Sequence, residues 1–95
     1  MELDVTGEIW FWKGPSPFHF VTVPEDEAAA LESVSSRVSY GWGRIPVTGR
    51  VGRTSFTTAL WPKDGGYVVP LKDAVRRAEG LELDDVVTVR LTVDL

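Results

Sequence analysis

A chain of 95 residues is long enough for one hydrophobic core and too short for two lobes with a cleft between them. Apolar residues make up 43% and charged residues 25%, a folded composition rather than a disordered one, and the absence of cysteine excludes disulfides, thiolate metal sites and a cysteine nucleophile. The net charge of -4 is unevenly placed: residues 33–63 hold Arg37, Arg44, Arg50, Arg53 and Lys63 with no acid, and all 14 carboxylates stand on either side.

The N-terminus, MELDVTGEIW, carries acids where a secretory signal carries cations, and no apolar run approaches the roughly 18 residues that span a bilayer. The expectation is one cytoplasmic domain over residues 1–95, with no membrane contact. In residues 3–13, Leu3, Val5, Ile9 and Phe11 alternate with Asp4, Thr6 and Glu8, the period of a half-buried strand. Trp10 and Trp12 fall on the same phase as Glu8, so that face needs a cover near its end. KGPSP then forces a turn, because glycine and two prolines cannot continue a paired strand. Residues 18–23 are apolar on both faces and read as a buried strand interrupted by His19. In the next segment Pro24 suits the first helical position and Glu25, Asp26 and Glu27 favour the positive end of the dipole. Ala28, Leu31 and Val34 share one face, giving an amphipathic helix near 24–36 that is a candidate cover for Trp10 or Trp12.

After YGWG, Ile45, Val47 and Val51 point one way and Arg44, Thr48 and Arg50 the other, so the arginines take the solvent side of a strand. Gly52 and Arg53 supply a two-residue turn with glycine first, as type II′ requires. Residues 54–61 return as the partner strand, with Pro62 at its end, and KDGG turns the chain into residues 67–69, completing a three-strand meander. Pro70 opens a helix over residues 71–79 with Leu71, Ala74, Val75 and Ala78 on one face; Gly80 stops it in a left-handed conformation, and Leu81 packs back. Val87, Val89, Leu91 and Val93 then alternate with polar residues as a last strand. The fold class is mainly β, a barrel of about six strands with two short helices near 24–36 and 71–79.

Two runs, YGWGRIPVTGRVG and TALWPKDGGYVVPLKDAVRRAEGLELDDVVTVRL, resemble the bacterial family catalogued as domain of unknown function 1905, and the resemblance extends from GEIWFW onward. It implies a small β-barrel with short helices and no established biochemical activity. The last third, VVPLKDAVRRAEGLELDDVVTVRL, is similar to the strand, helix, turn and strand of AbrB-type swapped-hairpin DNA-binding domains, which implies a double-split, AbrB-like barrel. In those domains the turn before the final strand usually reads Gly-Asp. Here it reads Asp84-Asp85, so Asp84 has to take a left-handed or bridging conformation. About six strands can close a barrel within one chain, although AbrB-type domains use two, so both a monomer and a homodimer stay open.

Catalytic and metal-binding patterns are sparse. A single histidine, His19, reads as a satisfied core or edge residue and cannot make a zinc site without cysteines or further histidines. Glu25, Asp26 and Glu27 are explained by the helix start, and Asp84 and Asp85 by a turn. GWGR leads into a strand and not into a helix, so it is no phosphate cradle. The expectation is no enzyme and no cofactor.

Binding is the positive reading. Trp42 stands between two glycines beside Tyr40 and Arg44; it either stacks on a base or acidic ring, or folds back to cap an open end of the barrel, and the burial of a large apolar side chain favours the cap. The candidate site is Tyr40, Trp42, Arg44, Lys63, Asp64, Lys72 and Arg76, meeting a small anionic ligand or a protein partner. The alternative is an AbrB-like regulator that contacts nucleic acid through Arg44, Arg50 and Arg53. Against it, 14 acids oppose 10 bases, so strong duplex binding is not expected.

Overall fold

Val5 and Ile9 are fully buried while Asp4, Thr6 and Glu8 face solvent, so the period-two pattern of the N-terminus becomes a strand with one buried side, β1 (Glu2–Trp12). The computed structural model describes residues 1–14, 18–39, 41 and 43–95. After β1 come β2 (Phe18–Thr22), α1 (Glu25–Val38), β3 (Ile45–Val51), β4 (Thr54–Lys63), β5 (Gly66–Leu71), α2 (Asp73–Glu79) and β6 (Val86–Thr92). All pairings are antiparallel and the sheet closes in the order β1-β2-β5-β4-β3-β6, with β6 returning to β1. One chain closes the barrel by itself.

The length of β1 is what permits closure. Its residues 2–8 pair with β6 and its residues 9–12 with β2. Beyond the β6 pairing, the Ile9 amide donates to the Asp85 carbonyl and the Asp84 amide to the Ile9 carbonyl, each at 2.9 Å, so the edge that β6 leaves is taken up by the turn before it. That turn places Asp84 at φ 72, the left-handed conformation expected of it.

Inward residues of all six strands meet in one core: Val5, Ile9, Val21, Ile45, Leu60, Val69, Val89 and Leu91 have no exposed surface. Burial of each such side chain stabilises by about 1.5–3 kcal/mol. Because β2 and β5 are antiparallel neighbours, the helices that follow them leave from opposite mouths of the barrel. α1 lays Leu31 into the core from one end and α2 adds Val75 from the other. The meander β3-β4-β5 has the expected faces, with Ile45, Val47 and Val51 buried and Thr48 and Arg50 exposed. Its two turns follow backbone chemistry. Gly52 is at φ 56 and Arg53 is not positive, the type II′ pattern; Asp64 at φ 51 and Gly65 at φ 80 make the type I′ pattern.

Four expectations need correction. Pro62 does not end β4, which runs to Lys63 with Pro62 opposite Tyr67. The Tyr67 carbonyl accepts from the Val23 amide at 3.0 Å, on the side away from β4, so Pro62 occupies a non-hydrogen-bonded pair and removes no ladder bond. Pro70 does not open a helix: it pairs with Phe20 and Leu71 with His19, and α2 starts only at Asp73. With β2 holding residues 68–71 extended, the face of α2 shifts, and Ala74 and Ala78 are exposed while Val75 is buried. Phe11 is 40% exposed, because past Ile9 its phase runs out of the barrel and the ring rests edge-on against His19, with centroids 4.9 Å apart. α1 continues to Val38, two residues past the expected 36. Gly80 does stop α2, at φ 63, with the Leu81 amide donating to the Arg76 carbonyl at 2.8 Å.

Candidate functional site

The barrel carries a second apolar cluster on its outside. Cross-strand register sets Trp10 beside Phe20, Trp12 beside Phe18, Phe20 beside Pro70 and Val68 beside Trp61, all on the face opposite the core residues Ile9, Val21 and Val69. Phe20 and Val68 are 1% and 3% exposed although they point away from the barrel interior. Phe20 is covered by the rings around it, and Val68 lies beside Trp61 and lines the cleft next to α1. Phe20 lies 5.2 Å from Trp10, 6.4 Å from Trp12, 5.7 Å from Phe18 and 5.1 Å from Trp61 by ring centroids, and Phe18 meets Trp61 edge-on at 4.9 Å. Gly14 belongs to this packing, since a Cβ there would run into the Trp12 ring. Beside the cluster, the Arg44 guanidinium lies 4.8 Å from the centre of the Trp61 ring, a cation–π contact. Among the described residues Arg44 pairs with no carboxylate. A hollow of about 210 Å³ opens between Trp12, Phe20, Trp61, Pro62 and Lys63.

A larger open cleft, about 750 Å³, runs between α1 and the β4–β5 turn, with Trp10 and Ala28 as apolar walls. Glu25, Glu32 and Asp64 line it against Lys63 alone, so its field favours cations. Tyr67 donates its hydroxyl to Glu32 Oε2 at 2.9 Å, and burial together with that carboxylate pushes the phenol up from its ordinary value. The Trp10 indole N–H donates to Thr22 Oγ1 at 2.9 Å.

The expected site residues divide into separate places. Tyr40 and Trp42 lie outside the described residues. Arg44 and Lys63 flank the aromatic cluster, and Asp64 projects from the β4–β5 turn with its carboxylate 4.0 Å from Lys63 Nζ. Lys72 Nζ donates to the Thr57 carbonyl at 3.0 Å, six residues before Lys63 on β4, or roughly 20 Å along the strand. Arg76 is paired with Asp73, with its Nε buried and unpartnered. His19 is half-buried near α2; burial, and then the Arg76 charge, lower its pKa from the ordinary 6.5, with Asp73 opposing.

Nor do the arginines of β3 make one face. Arg44 and Arg50 stand at opposite ends of that strand, and Arg50 bonds the Gly52 carbonyl at 3.0 Å. Opposite Arg50 is Arg90, which is neutralised by Glu2 at 2.9 Å and Asp4 at 3.1 Å. The hydrogen bond to Glu2, followed by the Asp4 charge, raises the guanidinium further above its ordinary value. The aromatic cluster itself was not among the expected site residues. Its signal was present in the off-phase Trp10 and Trp12, but the rings they meet come from strands remote in sequence.

A family model supplies the relationship. The family described as Domain of unknown function (DUF1905) matches residues 6–91. The chain belongs to this family. No match is found among curated proteins. The match takes in β2 to β5, both helices and most of β1 and β6, so the aromatic face and the acidic cleft both lie inside the family's own domain. Among the described residues no helix is long and apolar enough to cross a membrane, and no group of three or more His, Asp or Glu side chains could hold a metal ion.

Proposed function

We propose that this domain is a non-enzymatic cytoplasmic binding or accessory module whose working surface is the aromatic outer face of β1, β2, β5 and β4, where Arg44 and Lys63 meet an anionic ligand or a protein partner. The observation that carries the reading is the Arg44 guanidinium held over Trp61, outside the barrel and, among the described residues, paired with no carboxylate. Barrel stability needs apolar residues on the inner face only; large rings gathered on the outer face, beside an unneutralised cation, are the composition of a recognition patch. The 750 Å³ cleft, in contrast, carries three carboxylates and repels an anion.

The test is amide and indole chemical-shift mapping of the labelled protein against small aromatic carboxylates, acidic peptides and cell extract. The expected result is saturable movement of the Trp12, Trp61 and Arg44 resonances, weakened in Arg44→Gln. Shifts confined to Trp10, Glu32 and Asp64 would instead assign binding to the acidic cleft and remove the aromatic face from consideration.

A further inference from the structure

We infer that the occupant of the aromatic face is an extended acidic peptide segment, which seats one bulky apolar side chain in the hollow bordered by Trp12, Phe20, Trp61, Pro62 and Lys63 and sets a neighbouring carboxylate on Arg44. This rests on the reading just given and narrows it to one partner class. Size is the first argument. The hollow between Trp12, Phe20, Trp61, Pro62 and Lys63 measures about 210 Å³, below the roughly 300–1,000 Å³ of sites that enclose a whole small molecule. It has room for one anchoring side chain, with the rest of the ligand lying across the surface.

Ring geometry is the second. Trp61 meets Phe18, Phe20 and Trp12 edge-to-face at interplanar angles of 69°, 64° and 85°, and Arg44 lies over its ring. Rings engaged in this way do not offer the row of free faces on which successive bases stack. Charge is the third. Arg44 and Lys63 lie around Trp61, Arg44 has no carboxylate among the described residues, and Lys63 has only the exposed Asp64 at 4.0 Å. The complement of that arrangement is an apolar residue with acids next to it. β2, the central strand of this face, is paired with β1 on one edge and β5 on the other, so the segment lies across it through side chains and not as an added strand.

The experiment titrates the ¹⁵N-labelled full chain with an eight-residue peptide holding one phenylalanine among glutamates. The expected result is saturable shifts at Trp12, Trp61, Arg44 and Lys63. Affinity should fall at least about tenfold when the peptide phenylalanine becomes alanine, and similarly in Arg44→Gln, whose surface position preserves the fold. Arg44→Glu should reverse the preference toward a peptide with lysines in place of the glutamates. If 3-phenylpropionate moves these resonances and the peptide does not, the peptide inference falls while the binding-module reading stands. If oligothymidylate binds this face and the peptide does not, the inference is overturned in favour of nucleic acid. If none of the three probes moves the face, both readings fall together.

Discussion

Gly49 is where the barrel wall has no room for a side chain. A Cβ there would stand 2.6 Å from Phe56 Cζ and 2.9 Å from its Cε1, so the ring across the β3–β4 ladder already fills the space. Gly49→Ala forces the ring aside and should cost about 1–3 kcal/mol by overpacking, seen as a lower urea midpoint at unchanged m. His19 makes a prediction about acid. Its folded pKa is depressed below 6.5 by burial and the Arg76 charge, so the folded state resists protonation more than the unfolded one. The stability it contributes is complete above the unfolded-state value and is lost as pH falls through that value toward the folded one. His19→Gln should therefore flatten the decline of Tm between about pH 7 and pH 5. Parallel Tm curves for the two proteins would show that His19 takes no part in it.

At the level of elements, α2 has seven residues and no side-chain cap, too few to persist without tertiary support. Its anchor is Glu79, whose Oε2 accepts from Thr54 Oγ1 at 2.6 Å and from the Arg53 amide at 3.3 Å in the β3–β4 turn. Glu79→Ala should cost about 1.5 kcal/mol, the low end for hydrogen bonds to a charged group at a partly exposed site, and should speed amide exchange in α2 and in residues 52–54 before the rest of the barrel. These elements also show what the amino-acid order reveals. Strand alternation, the Gly52-Arg53 and Asp64-Gly65 turns and the Gly80 stop were legible because each is decided by a few adjacent residues. Pro70 and the start of α2 were not, since β2, which holds residues 68–71 extended, is remote in sequence; Pro62 was not, because its place in the ladder depends on Tyr67 turning its carbonyl to Val23. The same applies to the site. Arg44 and Lys63 were named from local charge and do flank one surface, whereas Lys72 is drawn to Thr57, 15 residues away, and Arg76 to Asp73, its i,i+3 neighbour once the helix starts at Asp73 and not at Leu71.

For the whole molecule, β6 is the closing element. It lies between β1 and β3, and Leu91, fully buried, faces Leu3 on one side and Gly49 on the other. Leu91→Ala should lower stability by about 2–5 kcal/mol, a large share of what a small domain has, and circular dichroism and tryptophan fluorescence should still report one coincident transition. The bond between Arg90 and Glu2 joins residues 88 apart in sequence, and Val93 exchanges bonds with Met1. During translation β1 therefore waits with one edge bare until nearly the last residue of this domain has cleared the ribosome exit tunnel. Native structure forms only after that moment, slowly for a chain of this size, and the interval exposes a long apolar strand to chaperones or to neighbouring nascent chains.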